Sequence, residues 1–175
     1  MTRTLHFGEP TYDEKHFYTR VLQGHLAMAF AKFPLGMCGM VLDAFARAPL
    51  WSDCEDYGHG TGHGIGASLN VHEGPFGVGG SNRPADFIRK TAKHSPYFEP
   101  ILPGYYMSDE PGFYMTEKGD CGGFGIRIES DIIAETVSGN EKFLQFQYVT
   151  KVRSRVATRR AVCEKSEACC YRSSS

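Results

Sequence analysis

Phe124-Gly125-Ile126-Arg127-Ile128-Glu129 alternates apolar and polar side chains, and its reading decides the fold class. Successive side chains of a strand point to opposite faces, so Ile126 and Ile128 share one face and Arg127 and Glu129 the other. Leu144, Phe146 and Tyr148 repeat the alternation downstream, and residues 105–110 read as a further strand leading into the turn Pro111-Gly112. The last third of the chain is thus expected to be strands.

The first third reads differently. Thr11-Tyr12-Asp13-Glu14 has the capping-box form, a hydroxyl N-cap followed three residues later by a carboxylate. Phe17, Val21, Leu22, Leu26, Ala29 and Phe33 then recur near helical spacing until Pro34, and a second helix is expected over 40–48, stopped by Pro49. Thr4-Leu5-His6-Phe7 reads as a short strand, Leu69-Asn70-Val71-His72 as extended, and the run from Gly74 as loop. Helices followed by antiparallel strands indicate an α+β domain over residues 1–150. Residues 151–175, rich in Arg, Lys and Ser without a sustained period, read as a flexible polar tail.

Composition narrows the function classes. The 175 residues carry 19 Lys+Arg against 20 Asp+Glu, which removes the electrostatic argument for a nucleic-acid partner. A membrane helix needs ~20 consecutive apolar residues, and no such run is present. The chain opens without a signal-peptide pattern and its six cysteines form no C-x-x-C pair, so a cytoplasmic location with reduced thiols is expected.

Candidate chemistry centres on Gly58-His59-Gly60-Thr61-Gly62-His63-Gly64-Ile65-Gly66. The His59/His63 spacing matches a helical zinc-protease motif, but Gly60 stands where the motif needs Glu and the glycines oppose a helix. A dinucleotide loop is only approximated. In isolation the run is equally a Gly-rich turn with two exposed histidines. Its company changes the reading: His72 follows nine residues after His63, Glu110 stands in Asp109-Glu110-Pro111-Gly112, and Glu129 ends the alternating strand. One imidazole and two carboxylates form a donor set suited to Mn, Zn, Co or Fe. Arg127, on the face of Glu129, is placed to orient a ligating carboxylate.

Taken in order, residues 58–66, Leu69-Asn70-Val71-His72-Glu73-Gly74-Pro75, Ser108-Asp109-Glu110-Pro111-Gly112 and Gly125-Ile126-Arg127-Ile128-Glu129 resemble the Xaa-Pro aminopeptidases (aminopeptidase P) of the pita-bread metallopeptidase family. The resemblance covers about residues 2–150, and the Leu-Asn-Val-His-Glu-Gly-Pro string favours this group over the related methionine aminopeptidases and prolidases.

The resemblance implies the C-terminal portion of a pita-bread catalytic domain, helices packed on a curved, mainly antiparallel sheet. It implies two divalent metal ions, Mn first and Zn or Co as alternatives, with His63, Glu110 and Glu129 among their ligands. His72, Glu110 and Arg127 take catalytic roles in this reading, His72 in proton transfer or oxyanion stabilisation, and His59 lines the substrate site. The reaction would remove the N-terminal residue from peptides with proline second, through a metal-bridging hydroxide. The two Asp ligands of the family have no matching residues, so the chain is expected to be the later part of a longer enzyme, inactive alone. The family's dimerising segment is not recognisable in 151–175, so a homodimer is expected of the longer enzyme rather than of this chain. The runner-up is a non-catalytic pita-bread module for protein interaction.

Overall fold

The computed structural model describes residues 1–116 and 122–152. Its centre is one long strand, β7 (Phe124–Val137), to which most of the sheet is attached. On one edge β7 pairs antiparallel with β5 (Tyr106–Asp109) and β6 (Gly112–Met115). On the other it pairs with β1 (Thr2–Arg3) and β8 (Asn140–Tyr148), and β8 carries the edge strand β2 (Lys32–Pro34). A two-stranded ribbon, β3 (Gly62–His63) with β4 (Gly77–Val78), lies beside β5.

Two helices cover one face. α1 (Tyr12–Ala29) starts on the expected capping box: the Glu14 N–H donates to the Thr11 hydroxyl at 3.3 Å, and the Glu14 carboxylate accepts the Thr11 N–H at 2.7 Å. α2 (Gly39–Trp51) crosses α1 where a Cβ on Gly24 would lie 2.1 Å from the Ala46 carbonyl oxygen, so only glycine permits that approach. The helices bury Phe17, Val21, Met28, Leu42 and Leu50 against Ile126, Ile128, Ile132 and Leu144. Each fully buried aliphatic side chain contributes about 1.5–3 kcal/mol. The buried residues of β7 alternate, which leaves Arg127 and Glu129 on the opposite face.

Several boundaries differ from the sequence reading. α1 ends at Ala29 because Phe33 pairs with Leu144 in β2, where Pro34 is tolerated on an edge strand. α2 runs past Pro49 to Trp51, since the fully buried Leu50 secures its last turn. The N-terminal strand is Thr2–Arg3 rather than 4–7, because the Thr4 hydroxyl takes over the ladder, bonding the Arg127 N–H at 2.9 Å and carbonyl at 3.1 Å. The presumed loop after Gly74 contains β4 and a short helix, α3 (Ala85–Thr91).

The segment 69–72 is not a strand: a turn over 66–70 takes up its first residues. Ser68 and Leu69 have positive φ, and the Gly66 N–H closes onto the Asn70 carbonyl at 2.9 Å. Cys38 and Cys54 are free thiols. Cys121, Cys163, Cys169 and Cys170 lie outside the described residues, as does the expected tail from residue 153. Among the described residues no helix is long and apolar enough to cross a membrane.

Candidate active site

Three segments meet on the face of the sheet opposite the helices. The Gly-rich run is irregular up to β3, as its glycines predict, and then lies against β5: the Ile65 N–H donates to the Tyr106 carbonyl at 3.1 Å, and the Glu110 N–H to the Thr61 carbonyl at 2.8 Å. A Cβ on Gly62 would stand 2.1 Å from the Ser108 carbonyl oxygen, which explains why that position is glycine. The approach brings His63 to Glu110.

The His63 ring is oriented by its backbone. Nδ1 lies 2.9 Å from the Gly64 carbonyl, which only a protonated nitrogen can satisfy, so Nδ1 donates there. Nε2 is turned toward Glu110 and lies 3.0 Å from Oε1, where it donates when the ring carries both protons. Above all the hydrogen bond with that carboxylate holds His63 above its usual pKa. Burial pushes the Glu110 carboxyl up, but hydrogen bonds from His63 and Ser108, helped by the charge of Arg127, leave it below the usual range. Ser108 Oγ donates to Oε1 at 2.9 Å, and Arg127 Nη1 to Oε2 at 3.0 Å.

Glu129 stands opposite Glu110 in register and on the same face, since Asp109 pairs with Ser130 and Gly112 with Arg127. Its carboxylate accepts from the Thr2 hydroxyl and lies 3.7 Å from the Met1 ammonium. His72 packs on His63 with ring centroids 4.0 Å apart, carried there by the turn at 66–70 and by the Glu73 N–H bond to the Gly64 carbonyl at 2.9 Å.

His59 joins the same network from the other side. Its Nδ1 donates to the Gly60 carbonyl at 2.8 Å, so Nε2 accepts from Tyr114 Oη at 2.8 Å. Tyr114 Oη in turn accepts from Arg127 Nε at 3.0 Å and Nη2 at 2.7 Å. Burial, reinforced by the Arg127 charge, holds His59 below its usual pKa and therefore neutral, as this proton order requires.

In kind these donors fit a divalent cation: an imidazole Nε2 fixed by its Nδ1–H bond, and two carboxylates facing each other on the same side. Among the described residues, however, no group of three or more His, Cys, Asp or Glu is close enough to hold a metal. The expected residues are thus divided as follows. His63, His72, Glu110 and Arg127 form one contact cluster, Glu129 stands across the ladder from Glu110, and His59 reaches the cluster through Tyr114. Arg127 grips Glu110 rather than its strand neighbour Glu129. Tyr114, Ser108 and Thr61 were not singled out from the sequence. Ser108 could have been, since i and i+2 on a strand share a face with Glu110.

The profile of metallopeptidase family M24 matches residues 1–136. The chain is 46% identical over 155 residues to a "Probable Xaa-Pro aminopeptidase P" of Laccaria bicolor, covering 86% of this chain and 22% of that protein. It is 48% identical over 154 residues to a "Probable Xaa-Pro aminopeptidase P" of Ajellomyces dermatitidis, again spanning 22% of the relative. Among solved structures it resembles an X-prolyl aminopeptidase from Caenorhabditis elegans, a cytosolic enzyme with a di-nuclear active site (TM-score 0.70, 37% identity, 86% of this chain and 22% of that one). It also resembles the prolidase from Pyrococcus furiosus (TM-score 0.61, 26% identity, 87% and 36%). The chain spans about a fifth of the length of the curated relatives it matches. Helices on a curled, mainly antiparallel sheet agree with the pita-bread fold of these neighbours. The chain belongs to metallopeptidase family M24.

Proposed function

We propose that this chain is the later part of the catalytic domain of a dimetal Xaa-Pro aminopeptidase, which releases the N-terminal residue from peptides with proline in the second position. The observation that carries the reading is the His63–Glu110–Arg127 cluster with Glu129 across the ladder, in a chain similar to Xaa-Pro aminopeptidases along most of its length. His63, Glu110 and Glu129 would hold two divalent cations, manganese first, with the two remaining carboxylate ligands supplied from outside this chain. When bound, the cations supply a Lewis acid for the scissile carbonyl and an activated water at neutral pH.

The chain's own residues do the rest. Arg127 and Ser108 fix the two oxygens of Glu110 in one rotamer, which leaves Glu110 able to accept a proton at Oε1 when His63 is engaged elsewhere. His72, its ring against that of His63, is the group for proton transfer to the leaving amine or for stabilising the oxyanion. Neutral His59 lines the substrate side, its ring held by Tyr114. The cytosolic worm enzyme supports a cytoplasmic location, and a homodimer, where it forms, belongs to the longer protein.

The test is release of the first residue from an Xaa-Pro peptide under Mn²⁺ titration, run on this chain and on a longer form carrying the upstream sequence. Turnover by the longer form and none by this chain is expected; turnover by this chain alone would overturn the shared-site reading. The absence of a three-ligand group among the described residues favours a second reading, a non-catalytic interaction module. An inactive, metal-free longer protein would favour that one.

A further inference from the structure

Behind the site, α2 carries an ion pair with almost no solvent contact: Asp43 is 0% and Arg47 1% exposed. Every side-chain polar atom of this pair is hydrogen-bonded, within the pair, to residues between 56 and 61 or to Ser81. Arg47 donates to Asp43 at 2.8 Å, to Asp56 at 2.6 Å, to the Tyr57 carbonyl at 2.7 Å and to the His59 carbonyl at 2.6 Å, and its guanidinium sits 4.0 Å from the Tyr57 ring centroid. Asp43 also accepts from the Ser81 N–H at 2.9 Å, the Ser81 hydroxyl at 2.6 Å and the Thr61 hydroxyl.

Thr61 is the point where this buried pair meets the site. It is 0% exposed, and its hydroxyl, donating to Asp43, accepts from Tyr57 Oη. Its N–H donates to the Val78 carbonyl at 2.8 Å, and its carbonyl accepts the Glu110 N–H at 2.8 Å. We propose that Thr61 is a positioning residue for Glu110: anchored on Asp43, its carbonyl sets where the Glu110 backbone stands relative to His63. That placement of Glu110 is consequential on the metal-site reading proposed above, whereas the relay itself is a property of this chain.

The physical reason to expect a relay is stiffness. Arg47 and Asp43 are charged, buried and fully hydrogen-bonded, so neither can move without leaving a charge unpartnered. A hydroxyl bonded to such a pair inherits its position, and a carbonyl on the same residue passes that position to the next strand.

Amide hydrogen exchange of this chain under native conditions, read by NMR without metal, tests the relay without reference to turnover. In Thr61→Val the Glu110 amide should exchange about tenfold faster, while the β8 amides keep their rates. Thr61→Ser, which keeps the hydroxyl, should restore the Glu110 rate. Acceleration at Glu110 and β8 together, no acceleration at Glu110, or a serine variant as fast as the valine variant would each overturn the proposal. Should Thr61→Val not fold, the wild-type chain in low denaturant decides. There the Thr61 and Glu110 amides are expected to open in one event, and separate openings would overturn it. Because exchange rather than activity is read, failure of the peptidase reading and failure of the relay are distinguishable.

Discussion

Glu110 and Glu129 face each other across the sheet at the step where Pro111 interrupts the ladder between β5 and β6. Continuing the register from Asp109–Ser130 to Gly112–Arg127 places Glu110 opposite Glu129 and Pro111 opposite Ile128. Two carboxylates opposed on one face repel; hydrogen bonds from His63, Ser108 and Arg127 offset this at Glu110, and the Thr2 hydroxyl does so at Glu129. Glu129→Gln should therefore leave the metal-free chain unchanged or raise its stability by about 0.2–1 kcal/mol in urea unfolding. The same substitution should abolish Mn²⁺-dependent peptide release in the longer protein. A variant that is destabilised and still active would contradict the assignment.

Arg127 donates to both Glu110 and Tyr114, and a lysine cannot span the two. Arg127→Lys in the longer protein is expected to lower metal affinity or activity by roughly 10–100-fold, the usual effect of losing a partner that orients a ligand. Calorimetric Mn²⁺ titration beside peptide release checks both quantities.

The Asp43–Arg47 pair predicts a large stability effect far from any substrate. Arg47→Ala leaves a buried carboxylate without its charge partner, at a cost of about 3–5 kcal/mol. Urea unfolding measures it directly. A loss under about 1 kcal/mol would mean that water or a rearranged side chain replaces the guanidinium.

Asp53 ties the end of α2 to α1 through a bidentate bond from Arg20, at 2.6 and 2.9 Å, and a 2.6 Å contact with His16. The Arg20 hydrogen bond, above all, holds the Asp53 carboxyl below the usual range. A depressed folded-state pKa contributes stability that is present above the ordinary carboxylate pKa and is lost as pH falls through the lowered value. Solvent reaches this pair, so the contribution is about 1 kcal/mol or less. Asp53→Asn should be less stable than wild type at neutral pH, with the gap closing in acid. A gap independent of pH would refute the linkage.

Legibility differed from residue to residue. The capping box at Thr11 and Glu14, the alternation at 124–129 and the non-helical Gly run were read from local pattern and recur in the fold. Helical spacing continues through Phe33 in the sequence, while pairing with Leu144 draws it into a strand. Leu69, 98% exposed at positive φ, shows no apolar logic in the sequence; its conformation follows from the Gly66–Asn70 closure. Tyr114 lies in no motif, and Thr61, though inside the Gly-rich run, carries no mark of its own role there. Their roles come from partners 13 to 55 residues away in the chain.

The sequence by itself offered the candidate side chains, because residue type and order alone carry that chemistry: His63, Glu110 and Glu129 as candidate donors, Arg127 as a candidate orienting cation. It also determined the faces of β7, because a period of two admits no other arrangement. Only the tertiary structure decided which carboxylate Arg127 grips, that Glu110 faces Glu129, and that a buried ion pair on α2 holds the His59 carbonyl and, through Thr61, backs Glu110. Those relations are set by strand register and by burial over long chain separations, and neither leaves a periodic mark in the residues that make them.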